Sequence, residues 1–443
     1  MTDTGQTAAT ERTDVGSYFV ANYPPFSLWT HAAVETDANP ALAHRSADVP
    51  LGLYLHIPFC RKRCHFCYYR VYTDKNASEV AEYLDVLGRE WELYTTQPAI
   101  AGRPLRFIYF GGGTPSFLSV RQLRGLVDRL SRVTPWTDAE EITFECEPGT
   151  LTEPKLAAIR EMGITRLSLG LEHFDDQVLE LNGRAHRSPE IVRAYTFAQS
   201  LDFPQVNIDL IAGMLGDTDV KWRAAIERAI ELDPDSVTIY QMELPYNTTI
   251  SSDLLKGTGR FTETVAGWPT KRRWVREAFE ALERAGYTVA SAYTAVKNPK
   301  TTRFVYRDQL WQGADLAGLG VASFGHINGV HMQNLDAWGP YAATVRRGEI
   351  PLSRAFRPTD EERLIRELVL QLKLGSIRPA YFQGKYGVDV LDRFAGALSS
   401  LRNDGYVMAA DAGQITLTRD GVLRVDSLLP RFFLPEHANL RYT

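Results

Sequence analysis

The stretch Tyr54-Leu-His-Ile-Pro-Phe-Cys60-Arg-Lys-Arg-Cys64-His-Phe-Cys67 decides how the rest of the chain is read. Its first half continues an apolar run that begins at Leu51, as a buried strand would. Its second half places three cysteines at C-x3-C-x2-C directly after that strand. The chain has four cysteines in 443 residues, and the fourth, Cys146, stands alone. Three thiolates this close are no disulfide framework. They can converge on one inorganic core. Three ligands to a four-iron cluster leave one iron open for a bound molecule. A structural zinc site would need a fourth ligand, which His56 or His65 could supply. An electron-transfer ferredoxin would normally bring a fourth cysteine.

Outward from this loop, strand-like runs alternate with amphipathic stretches. The runs are Leu51–His56, Phe107–Phe110, Ile142–Glu145, Arg166–Leu169, Gln205–Leu210 and Ser236–Gln241. Helices are expected over Ser78–Tyr94, Ser119–Arg132, Glu153–Met162, Ser188–Ser200 and Val220–Glu231, several opening on a Ser, Thr or Asp cap. This alternation implies parallel βαβ units and an α/β fold, a partial (β/α)6 barrel with ligands at the carboxyl ends of its strands. A helix over Thr270–Ala285 leads into a Gly-rich stretch, Gly313–Gly329. Past Pro351 come helices at Thr359–Leu374 and Asp389–Asn403, then a hairpin turning near Asp411–Gly413. We expect an N-terminal arm over 1–49, disordered to about residue 15 and carrying the aromatics Tyr18, Phe19, Tyr23, Phe26 and Trp29. The barrel and its extension follow over 50–350, and a winged-helix-like domain over 351–443.

The net charge of −5 argues against a general nucleic-acid binder. No apolar run is long enough for a membrane span, and the N-terminus lacks a signal-peptide pattern, so a cytoplasmic protein is expected.

The motif and its surroundings resemble the radical SAM superfamily, and more narrowly its oxygen-independent coproporphyrinogen III oxidase-like branch. The markers are Tyr54-x-His56-Ile57-Pro58-Phe59-Cys60, Gly111-Gly112-Gly113-Thr114-Pro115, Glu145-x-x-Pro148, Gly183-Arg184-x-His186, Asp209-Leu210-Ile211 and Gly318-x-Gly320. The resemblance runs from about residue 50 to the C-terminus. It implies a [4Fe–4S] cluster on Cys60, Cys64 and Cys67, and two S-adenosylmethionine (SAM) molecules. It implies SAM contacts at Tyr54, Phe66, Gly112, Gly113, Thr114, Glu145, Glu172, Arg184, Asp209, Gln241 and Phe324. Family members usually carry Gln at the position of Glu172.

Two departures bear on the reaction. Porphyrin enzymes of this branch usually carry a fourth cysteine where Tyr69 stands. Heme-trafficking members carry His-Asn-x-x-Tyr-Trp, where this chain reads Tyr306-Arg-Asp-Gln-Leu-Trp311. These favour a third group, the class C radical SAM methyltransferases and cyclopropanating enzymes. The expected reaction is methyl or methylene transfer to an sp2 carbon of a natural-product substrate. The alternative is an oxygen-independent coproporphyrinogen III oxidase or a heme-carrying relative. Candidate catalytic residues are Glu172, His173, for proton transfer, and Tyr69. Tyr68, Tyr72, Asp74 and Lys75 could line the substrate pocket. Expected partners are a small-molecule substrate, a flavodoxin- or ferredoxin-like reductant and a second methyltransferase-like enzyme, with no nucleic acid and no membrane.

Overall fold

The computed structural model describes residues 12–16, 19–46, 48–262, 265–438 and 440. The arm residues 1–11 and Tyr18, on which expectations were stated, lie outside them.

Six parallel strands form the body: β1 Leu51–Ile57, β2 Leu105–Gly112, β3 Glu141–Cys146, β4 Arg166–Glu172, β5 Gln205–Ala212 and β6 Ser236–Gln241, each hydrogen-bonded to the next. Their apolar runs are buried on both sides because helices cover the outside and the strands curve around an inner face. The helices start where capping chemistry allows. Asn76 and Glu79 form a capping box at the head of Ala77–Thr95, and Ser119 with Gln122 does the same for Val120–Val133.

The sheet does not stop at six strands. The short strand β8 Thr294–Val296 adds antiparallel to β6, and β7 Thr288–Val289 pairs antiparallel to β8. On the other side, β9 Asp315–Leu319 runs parallel to β1. Antiparallel β10 Phe324–Ile327, β11 Val330–Asn334 and β12 Leu352–Phe356 follow it. The order is β12-β11-β10-β9-β1-β2-β3-β4-β5-β6-β8-β7. The expected six-strand barrel is thus the middle of a twelve-stranded sheet. The Gly-rich stretch supplies strands because Gly318 lets the Phe324 carbonyl come within 2.0 Å of where a β-carbon would sit.

A second core lies in the C-terminal region. The helix Asp360–Leu372 is followed by β13 Ser376–Ile377, the helix Pro379–Tyr386, two short helices and the pair β14 Val407–Ala410 and β15 Ile415–Leu417. The three strands pair β13-β15-β14, giving a winged-helix-like unit. The single helix expected over Asp389–Asn403 is two, Val390–Arg393 and Ala395–Asn403, broken at Phe394. The N-terminal arm ties both parts together. Thr30 bridges to Ala355 on β12, Lys373 Nζ donates to Val20 O (2.8 Å), and Val20 N donates to Asp426 Oδ1 (3.0 Å). Among the described residues no helix is long and apolar enough to cross a membrane.

Candidate functional site

One cavity of about 1810 Å³ opens at the carboxyl ends of the barrel strands. All three motif cysteines line it, while the N-terminal arm and residues 422–428 form its far wall. The cysteine loop leaves β1 and is held by neighbours on several strands. Arg61 makes a two-pronged ion pair with Glu147 after β3 (3.0 and 3.1 Å). Glu147 also accepts from His186 Nδ1 (2.9 Å), which is fully buried. Burial alone would raise the Glu147 carboxyl, but the His186 and Arg61 donors overcome it and pull it to about 2. Glu147 therefore stays ionised and fixes the loop between the first two cysteines.

The thiols face donors. Thr114 Oγ1 donates to Cys60 Sγ (3.3 Å), and Arg184 Nη1 donates to Cys64 Sγ (3.2 Å). In the thiol form, burial pushes Cys60 up to about 11 and Cys67 up to about 12. Among the described residues no three His, Cys, Asp or Glu side chains converge tightly enough for one metal ion. His56 is engaged with Tyr54 OH and Arg70 O, and His65 with Leu181 O. That geometry disfavours a mononuclear zinc site, in which four ligands close on one ion. Thiolates around an iron–sulfur cluster each bind a different iron and stand further apart.

The remaining expected residues surround the same space. Gly112 and Gly113 cross the end of β1, with Gly113 N donating to Ile57 O (2.9 Å). A β-carbon on Gly112 would meet His56 at 2.5 Å, and Gly112 takes a φ of +105°. Glu145 accepts from Tyr109 OH (2.6 Å) and Gly112 N (3.3 Å), and burial pushes it up to about 7. Asp209 accepts from Ser168 Oγ and Asn207 Nδ2, both at 3.0 Å, and burial raises it too. Gln241 Nε2 donates to Leu423 O (2.9 Å) across to the C-terminal region, leaving its buried Oε1 without a partner. Tyr54, Phe66, Thr114 and Phe324 line the cavity, and Phe324 packs against Phe26 and Trp29 of the arm (4.6 and 5.6 Å).

Glu172 sits at the end of β4 with a φ of +65°, a strained conformation for a residue with a side chain. Its carboxylate lies 3.6 Å from Arg184, and burial pushes it up to about 7. Arg184 also donates to Gly170 O (2.7 Å).

His173 is not brought to the site. It is fully buried behind the cavity wall, where Nδ1 accepts from Asp175 N (2.9 Å) and Nε2 faces Asp217 at 3.3 Å. Adjacency to Glu172 misled the sequence reading, because successive strand residues point to opposite faces. Tyr68 and Tyr69 do line the cavity, their rings stacked at 4.5 Å and their hydroxyls 3.2 Å apart. Tyr72 and Lys75 do not line it: Tyr72 packs on Trp338, and Lys75 pairs with Glu79 at the head of the following helix (2.9 Å). Asp74 does not line the cavity. Tyr109 and Arg166, absent from the sequence reading, line the barrel interior. Arg166 is buried over the Phe304 ring (4.1 Å).

The family model of the Radical SAM superfamily matches residues 54–229. The chain is 30% identical over 292 residues to the heme chaperone HemW of Synechocystis sp., covering 63% of this chain and 67% of that one. It is 26% identical over 423 residues to the oxygen-independent coproporphyrinogen III oxidase of Pseudomonas aeruginosa, covering 90% and 89%. Its fold is similar to that of coproporphyrinogen III oxidase (HemN) from Escherichia coli, with a TM-score of 0.81 at 24% identity, over 95% of this chain and 99% of that one.

These relatives overturn the expected methyl or methylene transfer. Proteins that align along most of the chain carry oxidase and heme-chaperone names, so the closeness to class C methyltransferases falls, and with it the expected second methyltransferase-like partner. Tyr69 and Tyr306–Trp311 are local departures within this branch, and they do not move the chain out of it. The [4Fe–4S] cluster and SAM that the superfamily implies fit this site, where three thiols meet a hydroxyl donor and a guanidinium. The chain belongs to the radical SAM superfamily, in the branch that holds the HemN coproporphyrinogen III oxidases and the HemW heme chaperones.

Proposed function

We propose that this chain is a radical SAM oxidative decarboxylase of a propionate-bearing tetrapyrrole of the coproporphyrinogen type. The observation that carries the reading is the cavity. At about 1810 Å³ it exceeds the roughly 300–1000 Å³ of ordinary single-ligand sites. It is lined by 13 Arg or Lys side chains against 7 Asp or Glu, in a chain whose net charge is −5. A large cationic chamber suits a bulky polycarboxylate held beside two SAM molecules. The name of the Pseudomonas aeruginosa relative, aligned over 90% of this chain, points the same way.

When bound, the cluster supplies one electron to the SAM sulfonium and so generates a hydrogen-abstracting carbon radical. Cys60, Cys64 and Cys67 would hold that cluster. Arg184 would orient the SAM carboxylate, since guanidinium pairs bidentately with carboxylate. Gly112 and Gly113 admit a ligand close to the backbone, and Glu145, held by Tyr109, would receive a SAM ammonium or ribose hydroxyl. Asp209, Gln241, Tyr54, Phe66, Thr114, Glu172 and Phe324 complete the two SAM positions. The arm and the C-terminal wall exclude water from the radical. In the substrate, a propionate would give up a hydrogen atom to the SAM-derived carbon radical, then release carbon dioxide and pass one electron to an external one-electron acceptor, leaving a vinyl group. A low-potential protein reductant would drive each turnover.

The test is anaerobic cluster reconstitution followed by incubation with coproporphyrinogen III, SAM and dithionite-reduced flavodoxin. Products lacking one and then two carboxyl groups are expected, with matching 5′-deoxyadenosine. Tight heme binding with no decarboxylation would replace this reading with a heme-carrying one, as the HemW relative suggests.

A further inference from the structure

Several charged side chains in the cavity wall are held in ion pairs. Lys373 pairs with Asp426 (2.7 Å), Arg61 with Glu147, and Arg184 with Glu172. Arg166 feels the fields of Glu141, Glu145 and Asp209. Arg366, on the helix Asp360–Leu372, has no such ion pair, and chiefly the field of the neighbouring Glu367 offsets its burial. It lines the cavity and is 7% exposed, yet among the described residues no carboxylate oxygen lies within 4.0 Å of it. Its Nε donates to Asn22 Oδ1 (2.7 Å) and its Nη1 to Leu310 O (3.2 Å), both neutral acceptors. The adjacent Glu367 is committed to Lys385 (2.7 Å) and Tyr381 (2.6 Å). Asn22 Nδ2, beside it, is a buried donor with no acceptor.

A buried guanidinium with no carboxylate in direct contact is costly, by several kcal/mol in general, unless something anionic arrives. The surroundings specify what can arrive. Trp29 stacks parallel on His331 (5.3 Å, 1°), and the Arg354 guanidinium lies 5.9 Å from the Trp29 ring. Arg354 donates to Gln333 Oε1 (2.6 Å) and Phe26 O (2.9 Å), again neutral acceptors. His326 and His331 meet Nδ1 to Nδ1 at 2.9 Å and stay neutral in this buried, cationic setting, so they offer no anion. Phe26, Trp29 and Phe324 form an aromatic wall beside the Arg354 guanidinium.

We propose that Arg366, assisted by Arg354, anchors a carboxylate carried on a planar or heterocyclic ring that lies against Phe26, Trp29 and Phe324. On the proposed function, on which this assignment of the ring rests, the group is a propionate that is not the one undergoing reaction. Anchoring would join the N-terminal arm, through Asn22, to the C-terminal helix through one ligand atom group.

The test uses reconstituted full-length holoenzyme and two probes. Coproporphyrin III, the stable oxidised ring, is titrated against its tetramethyl ester. The free acid should bind wild type at least about tenfold more tightly than the ester, as charge-assisted pairing requires. Arg366→Gln should erase most of that preference, Arg366→Lys should restore part of it, and Arg354→Gln should reduce it by a smaller factor. Equal binding of the acid by wild type, Arg366→Gln and Arg354→Gln overturns the anchor while leaving the tetrapyrrole reading standing. The second probe is 3-phenylpropionate, read by the shift in melting temperature. A shift in wild type that Arg366→Gln loses, with no coproporphyrin binding, supports the anchor and sinks the tetrapyrrole reading. No carboxylate-dependent shift or binding in wild type overturns the anchor.

Discussion

The two sides of the cavity are built on opposite plans. On the barrel side the carboxylates are already answered: Glu147 by Arg61 and His186, Glu145 by Tyr109, Asp209 by Ser168 and Asn207. On the opposite side, Arg354 of β12 and Arg366 of the helix Asp360–Leu372 hydrogen-bond only to neutral acceptors. The barrel side is preorganised for a fixed reagent, and preorganised dipoles need not rearrange when charge develops. The opposite side carries unanswered charge that a ligand must complete. The difference teaches that reagent positioning and substrate selection are assigned here to different parts of the chain.

The largest effect should come from the barrel side. Cys64→Ala removes a cluster ligand and should abolish 5′-deoxyadenosine formation, with iron content after reconstitution falling alongside. Residual SAM cleavage at the wild-type rate would break the comparison at its root. Next, Arg184→Gln should raise the KM for SAM about tenfold to a hundredfold, since a charge-assisted pair contributes about 1.5–3 kcal/mol. Glu147→Gln sharpens the point without touching a ligand. It weakens the hold on Arg61, so the cluster absorbance should bleach several-fold faster under a chelator, at a stability loss of about 1–3 kcal/mol.

A pH effect of smaller size comes from the core. Glu90 is fully buried, accepts from Tyr341 OH (2.6 Å), Asn334 Nδ2 (2.5 Å) and Gly320 N (2.8 Å), and burial pushes it up to about 7. Between its ordinary value near 4.5 and about 7, the folded chain keeps a proton that the unfolded chain releases. Glu90 therefore favours the fold below that window and loses this contribution as pH rises through it. The melting temperature of the apoprotein should fall from pH 5 to pH 7.5, and Glu90→Gln should flatten part of that fall. An unchanged slope would show that Glu90 is not its source. The smallest effect is expected from Tyr69→Phe, which removes one exposed hydroxyl paired only with Tyr68. It should change turnover by less than about threefold, as a lost neutral hydrogen bond of about 0.5–1.5 kcal/mol at most allows.

The same division explains what the sequence could show. Each run from Leu51 to Gln241 was legible because a strand buried on both faces must be continuously apolar. The cysteines and glycines were legible because their spacing is local. The strands at Asp315–Leu319 and Phe324–Ile327 were not, since Gly and Ala there pack through backbone proximity and carry no apolar signature. The break at Phe394 was hidden inside an amphipathic pattern that continues across it. Tyr109 and Arg166 read as ordinary strand residues, and only the curvature of the sheet turns them inward. Arg366 sits on an amphipathic helix where any arginine looks solvated. Its isolation depends on Asn22, 344 residues earlier in the chain.

That last kind of contact has a consequence for how the molecule is made. Val20 reaches Asp426 across 406 residues, so the far wall cannot close until synthesis has passed the C-terminal region. Contacts of such separation form late, because the entropy of the long intervening loop must first be overcome. The cysteine loop leaves the ribosome long before that. The three thiols therefore stand in the nascent chain before the far wall is in place. A chain cut short before Asp426 would keep its three cysteines and lack the wall that confines the radical.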